Sequence, residues 1–141
     1  MITRRLVIST LVAVAFTTLS HGMAWAETSA EKIEQAKTVK EFLALGATKL
    51  TAAEFKSKIV GKKLAGKGWT WIIAADGTTS STANDGSWKE DNQPWSMKGD
   101  QYCTKLDGKK KCRDVYMIGK YFRMSDKDSK KALGSWTATA K

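Results

Sequence analysis

Residues 95–125 read WSMKGDQYCTKLDGKKKCRDVYMIGKYFRMS, and the two turns within this stretch decide the fold. Asp107-Gly108 lies between two β-rich runs and predicts a two-residue hairpin turn, since both central positions of such a turn favour positive φ. This turn places Cys103 directly opposite Cys112. Opposed antiparallel residues have Cα separations of about 4.5–5.5 Å, within the range of about 4.4–6.8 Å found for disulfides. Turn chemistry and cysteine spacing therefore predict the same register and a Cys103–Cys112 disulfide.

A second turn at Gly119-Lys120 continues the antiparallel meander and separates two faces of its hairpin. The face that is wholly apolar, and is therefore the predicted core face, carries Val115, Met117, Phe122 and Met124. Arg113 lies on the same inward side, opposite Tyr102. Two interpretations of this arginine stay open: it reaches solvent at an open end of the sheet, or it lines a cavity.

The chain from Trp69 onward is rich in β-branched and aromatic residues and is punctuated by Gly-containing turns. A strand is predicted over residues 69–73 and another begins at Ser87, whereas the polar stretch Lys89–Gln93 before Pro94 is predicted to be a loop. The further predicted strands are Trp95–Leu106, Lys109–Ile118, Tyr121–Ser125 and Gly134–Thr139. The fold class is mainly β (α+β), an antiparallel meander that forms a small barrel or a curved sheet, preceded by two short N-terminal helices.

The first of these helices is indicated by apolar residues at helical spacing, which are Ile33, Ala36, Val39, Phe42 and Leu43. Gly46 ends the pattern, and a capping box at Thr38–Glu41 indicates that the helix breaks or restarts there. A second box, Thr51–Glu54, begins the other helix, which ends at Gly61.

The first 26 residues have the pattern of a cleaved secretory signal peptide. Arg4 and Arg5 precede an apolar run of 11 residues, and Ala24-Trp25-Ala26 forms a cleavage site before Glu27. The run is shorter than the about 20 residues that span a bilayer as a helix. We expect a periplasmic or secreted protein with no transmembrane segment after cleavage. The predicted organisation is a signal peptide (1–26), an N-terminal helical segment (27–49) and a single β-rich domain with a leading short helix (50–141).

The exported chain is basic. Of the 24 Lys and Arg residues of the full sequence only Arg4 and Arg5 lie within residues 1–26, which contain none of the 14 Asp and Glu residues, so a formal net charge of +8 remains after cleavage. Such a charge favours contact with an anionic envelope component, and a lysine-rich solvated surface is the alternative explanation. The sequence contains no recognisable nucleic-acid motif.

The chain lacks the catalytic residues that several enzyme classes require. The single histidine, His21, lies within the signal peptide, so the exported protein has no imidazole for a nucleophile–histidine pair. Both cysteines are assigned to the disulfide, and no phosphate- or dinucleotide-binding loop is present. We therefore expect a non-enzymatic protein without cofactor or metal. A hydrolase that uses two carboxylates is the remaining enzymatic alternative, and no pair is singled out.

Several short motifs occur in a fixed order, which are Leu50-Thr51-Ala52-Ala53-Glu54, Ile59-Val60-Gly61-Lys62, Asp76-Gly77-Thr78 and Gly86-Ser87-Trp88. The cysteine pair and Val115-Tyr116 follow them. In this order, over about residues 50–124, the chain resembles the DUF995 family of small exported bacterial proteins, a domain of unknown function. The chain departs from that pattern in its lysine-rich hairpin tip and in the polar insert before Trp95. The resemblance implies a compact antiparallel β domain in the bacterial envelope and implies no activity.

Two binding hypotheses remain for an exported binding or interaction protein. In the first, the sheet holds a small aromatic or apolar ligand near Trp71, Trp88, Tyr102 and Arg113, although tryptophans are also ordinary core residues. In the second, a basic hairpin meets an anionic envelope polymer, a lipid or a partner protein, although a solvated turn would have the same composition. The residues of that hairpin are Lys105, Lys109, Lys110 and Lys111.

Overall fold

Threonine capping boxes begin two of the helices in residues 30–141, the part of the chain that the computed structural model describes. The helical turns at residues 30–35 (α1) stop before Thr38. The Thr38 side chain then accepts from the Glu41 N–H and starts α2 (Val39–Ala44), so the predicted break is confirmed. In the same way Thr51 and Glu54 start α3 (Ala52–Lys58).

Strands make up most of the remaining chain. Their bounds are β1 Thr48–Lys49, β2 Lys63–Gly66, β3 Trp69–Ile73, β4 Thr78–Ala83, β5 Lys89–Lys98, β6 Gln101–Leu106, β7 Lys109–Ile118, β8 Tyr121–Met124 and β9 Ala138–Ala140. Neighbouring strands pair antiparallel from β7 back to β2, then through β9 to β8, and β8 pairs with β7. The predicted meander is therefore a closed eight-stranded barrel, and β1 adds to β7 outside the ring.

The two ends of this barrel differ. The β3–β4, β5–β6 and β7–β8 turns lie at one end of the barrel. The fully buried Phe55 of α3 and Ile59, which caps its C-terminus, fill the interior there in one cluster with Leu64 and Ile73. The β2–β3, β4–β5 and β6–β7 turns lie at the other end, which we call the mouth. An antiparallel barrel with a filled base leaves the mouth as the place where an interior cavity meets solvent.

Both predicted hairpin registers are confirmed. Cys103 pairs with Cys112, and the S–S distance of their disulfide is 2.06 Å. In the next hairpin Met117 pairs with Phe122, and on the predicted core face Val115, Phe122 and Met124 are at most 1% exposed, with Met117 half-buried.

The opposite face of the β7–β8 hairpin is also covered, which the pattern did not predict. Tyr116 and Arg123 are 5% and 3% exposed, because α1 and α2 lie over them with Ile33 and Phe42. Arg123 fixes this layer by donating from Nη1 to the carbonyl oxygens of Ile33 (3.0 Å) and Ala36 (2.5 Å), and from Nη2 to that of Gly134 (2.8 Å).

The loop predicted at Lys89–Gln93 is wrong, because this stretch is the first half of β5. Its side chains are exposed and lack apolar alternation, so the usual strand signal is missing. β5 has one extra residue opposite the stretch of β4 between Thr79 and Ser81, and Asn92 has a φ of 55° there. This bulge lets the strand continue past Pro94, which pairs with Thr78.

Four other predicted strands have different bounds. The strand predicted to begin at Ser87 begins at Lys89. Gly99, at φ 58°, turns the chain, so the predicted strand Trp95–Leu106 is the end of β5 and the whole of β6. The strand predicted to end at Ser125 ends at Met124. The strand predicted over Gly134–Thr139 is only β9, Ala138–Ala140.

The predicted signal peptide and its cleavage site lie outside the described residues. Within residues 30–141 no helix is both long and apolar enough to cross a membrane.

Candidate functional site: the barrel cavity and the basic hairpin

A cavity of about 490 Å³ occupies the mouth half of the barrel and opens to solvent. All four residues of the predicted ligand site line it, although they come from four different strands or turns: Trp71, Trp88, Tyr102 and Arg113. Strand alternation explains this convergence, since Trp71, Tyr102 and Arg113 each occupy an inward position of a strand. Of the two interpretations of Arg113, the geometry supports the cavity-lining one.

Aromatic rings form one wall of the cavity. The Trp71 ring centroid lies 5.7 Å from that of Tyr102 and 5.7 Å from that of Trp136, both in edge-to-face geometry. Trp136 also meets Trp69 edge-to-face at 5.6 Å. Rings held in this way by one another form a rigid apolar surface, since few rotamers remain open to each.

Gly66 makes room for this wall. It lies on β2 opposite Trp69, and a Cβ at this position would overlap the Trp69 indole ring. The glycine thus allows the ring to lie against the backbone of the neighbouring strand, which is a common reason for glycine within a strand.

The polar groups of the wall are not all satisfied. The Thr79 hydroxyl donates to the Ile72 carbonyl (2.9 Å) and accepts from the Trp71 indole N–H. Tyr102, only 3% exposed, has a buried hydroxyl without a hydrogen-bond partner among residues 30–141. Burial raises the pKa of this phenol more than the nearby Thr79 hydroxyl and the Arg113 charge lower it. Tyr102 is therefore a neutral O–H donor.

Arg113 places a positive charge beside that donor, since it pairs with Tyr102 across the β6–β7 ladder. Its side chain is half-buried, and within residues 30–141 no carboxylate lies within 4.0 Å of it. Burial lowers the pKa of the guanidinium, while Tyr102 and the more distant Asp126 act in the opposite direction. An arginine nevertheless stays protonated in proteins. The cavity therefore contains an uncompensated cation next to an unused hydroxyl.

The rim of the cavity is exposed and carries mixed charge. Trp88 is 44% exposed, and the other rim residues include Glu90, Lys105 and Asp107. Exposed charges of both signs are screened by solvent, so the rim has a weaker effect on a bound molecule than Arg113 has.

The predicted basic patch is not uniform. Lys105, Lys109 and Lys110 are exposed, and Lys105 lies directly opposite Lys110. Lys111 instead forms an ion pair with Asp128 (2.7 Å), and this pair ties the hairpin to the segment after β8. Three of the four predicted lysines thus remain exposed at the mouth.

The prediction of the site missed several lining residues, among them Trp69, Thr79, Met124 and Trp136. Trp69 could have been found, because it shares the face of Trp71 two residues away. Trp136 could not, since it precedes the short β9 and has no alternation around it.

No family model, no curated protein and no solved structure matches this chain. Within residues 30–141 no group of three His, Cys, Asp or Glu side chains is placed to hold a metal ion.

Proposed function

We propose that this chain is an exported, non-enzymatic binding protein of the bacterial envelope that holds a small, largely apolar ligand in the mouth of its barrel. The observation that carries the proposal is the cavity of about 490 Å³, walled by tryptophans and open at one end while α3 fills the other. Small-molecule sites have volumes of about 300–1,000 Å³, apolar linings and a few placed polar groups.

The energetic argument favours a ligand with a flat apolar body. Water beside apolar rings is released when such a ligand enters, and burial of apolar area contributes about 25 cal/mol per Å². The walls are held by one another and by the barrel, so little side-chain ordering opposes binding.

Export and family membership are parts of the same proposal. A disulfide supports an oxidising compartment outside the cytoplasm. The antiparallel barrel agrees with the compact β domain that the DUF995 resemblance implies. N-terminal sequencing of protein from the periplasm or medium should begin at Glu27, and a full-length product retained in the membrane would contradict export.

Binding can be tested with N-phenyl-1-naphthylamine, a neutral aromatic probe whose fluorescence rises in apolar sites, together with native mass spectrometry of gently purified protein. Ser81→Leu would fill the cavity, because Ser81 lines it opposite Trp71. Ser80→Leu is the matched control, since Ser80 is the next residue of β4 and is not among the cavity-lining residues. We expect Ser81→Leu alone to abolish the fluorescence rise. Equal binding by both variants, or no binding by the parent protein, would contradict the proposal.

A second candidate function is attachment to an anionic envelope polymer or lipid through the basic hairpin. It is favoured by the exposed Lys105, Lys109 and Lys110, none of which has a carboxylate within 4.0 Å among residues 30–141. With a Debye length of about 8 Å at physiological salt, such binding should weaken steeply as salt rises.

The test of this second function replaces the exposed Lys105, Lys109 and Lys110 with glutamine and measures cosedimentation with anionic vesicles at low salt. Loss of binding with an unchanged thermal midpoint is the expected result. If the triple variant binds as well as the parent, the hairpin is a solvated turn.

A further inference from the structure

Two polar groups that line the cavity lack a partner of opposite character within residues 30–141, and they belong to neighbouring residues of one strand pair. Arg113 and Tyr102 are paired residues on adjacent strands, whose Cα atoms are separated by about 4.5–5.5 Å in such ladders. The guanidinium has no carboxylate partner and the phenol has no acceptor within the described chain. A half-buried cation without a carboxylate partner and a buried donor without an acceptor are both less favourable than their paired forms, and one molecule could pair with both.

We infer that the ligand is a flat aromatic carboxylate, with its carboxylate bound by Arg113 and Tyr102 and its ring against the tryptophan wall. This inference rests on the proposed binding function and specifies its ligand class. A carboxylate matches this pair because it offers two oxygens that accept hydrogen bonds. A guanidinium can take them as a fork or share them with a neighbouring hydroxyl.

Two neighbouring polar groups of the wall cannot contribute a hydrogen bond to the anchor. The Thr79 hydroxyl and the Trp71 indole N–H are already bonded to each other, and Thr79 donates onward to Ile72. Neither group has a free hydrogen to offer a ligand. The remaining charged lining residues are Lys105, Glu90 and Asp107, which are exposed at the rim.

The wall completes the recognition of a planar ring. Trp69, Trp71 and Trp136 are held edge-to-face, so the ligand ring meets a preformed aromatic surface instead of a flexible aliphatic one. Met124 adds an adaptable thioether contact on the same lining. The cavity thus suits a ligand that has an apolar body and one acidic end.

The test compares 2-naphthoate with 2-naphthamide, which have the same ring and nearly the same shape but differ in charge. Binding to the full exported protein is followed by quenching of tryptophan fluorescence and by calorimetry. Hydrogen bonds to a charged group are stronger than those to a neutral one. We therefore expect the carboxylate to bind with an affinity about tenfold or more above that of the amide.

Arg113→Gln should remove this preference, whereas Lys105→Gln, which removes one positive charge from the rim, should leave it. Tyr102→Phe should weaken 2-naphthoate binding several-fold, and unchanged binding would remove the phenol from the anchor. Persistence of the preference in Arg113→Gln, or its loss in Lys105→Gln, would overturn the inference.

The parent protein alone also decides the matter if a variant fails to fold. If the neutral probe N-phenyl-1-naphthylamine binds but 2-naphthoate is not preferred over 2-naphthamide, the ligand class is wrong and the binding function stands. If none of the three compounds binds, both are wrong.

Discussion

Arg123→Met should release the N-terminal helical layer from the barrel while leaving the barrel folded. Arg123 is 3% exposed, and its guanidinium donates to three main-chain carbonyls, those of Ile33, Ala36 and Gly134. The first two carbonyls lie at and just beyond the end of α1, where helices lack internal donors. Methionine keeps the length of the aliphatic stem but offers no donor.

The expected cost follows from these contacts. A hydrogen bond to a charged group contributes about 1.5–3 kcal/mol, but the desolvation of the buried guanidinium offsets much of the gain from three of them. We therefore expect a loss of about 3 kcal/mol in the free energy of unfolding, measured by urea titration. Lys120→Met is the control, since Lys120 is exposed at the turn of the same hairpin.

Hydrogen-exchange mass spectrometry distinguishes local release from general weakening. Protection should fall over residues 30–47 and persist in β3 to β6. A loss of stability below about 1 kcal/mol would refute the argument, because it would mean that water satisfies the carbonyls as well as the arginine does. An even rise of exchange over the whole chain would refute the local role of Arg123.

The remaining predictions concern the core, the disulfide and pH. Phe122→Ala should cost about 3–5 kcal/mol because the ring is fully buried, and the half-buried Tyr121→Ala should cost clearly less; equal losses in urea titrations would argue against the hairpin register. The disulfide should leave no thiol for alkylation without reductant, and its removal should cost about 2.5–3 kcal/mol by the loop-entropy relation; two reactive thiols would contradict the pairing. Burial by itself raises the pKa of Asp114, but hydrogen bonds from Lys49 and Gln101 hold that pKa below its usual value. Its stabilisation is therefore complete above the unfolded pKa of about 3.9 and lost as pH falls through the lower folded pKa. Asp114→Asn should cost roughly 1 kcal/mol at pH 6 and progressively less below about pH 4 in pH-dependent unfolding; a cost independent of pH would contradict the charge-based account.

Local chemistry in the sequence was sufficient for the hairpins and for part of the site. Asp107-Gly108 and the cysteine spacing determine one register, and that register places Arg113 beside Tyr102. Because turn type and side-chain alternation are local properties, they can be interpreted without knowing the rest of the fold. The ring closure depends on pairs far apart in the chain, such as Leu64 with Ala140, and short strands like β9 carry almost no local signal.

The errors have a common physical cause. Lys89–Gln93 forms a strand whose side chains all face solvent or the rim, so burial does not impose the alternation that identifies strands. Conversely, Tyr116 and Arg123 lie on the face opposite the predicted core face, and this face is covered by helices from another part of the chain. In both cases the structure depends on contacts with distant parts of the chain, and a local sequence pattern holds no information about such contacts.

The position of β9 in the ring has a consequence for the order of folding. β9 joins β2 to β8, and its residues follow every other strand in the chain. During synthesis, which starts at the N-terminus, the hairpins between consecutive strands from β2 to β8 can form early, since their contacts are local. The barrel cannot close until residues 138–140 have been made. Until then β2 and β8 are unpaired edges, and the tryptophan wall is open along its side. A ligand of the cavity could thus bind during closure as well as through the mouth, and a chain shortened before Ala138 should aggregate through these edges.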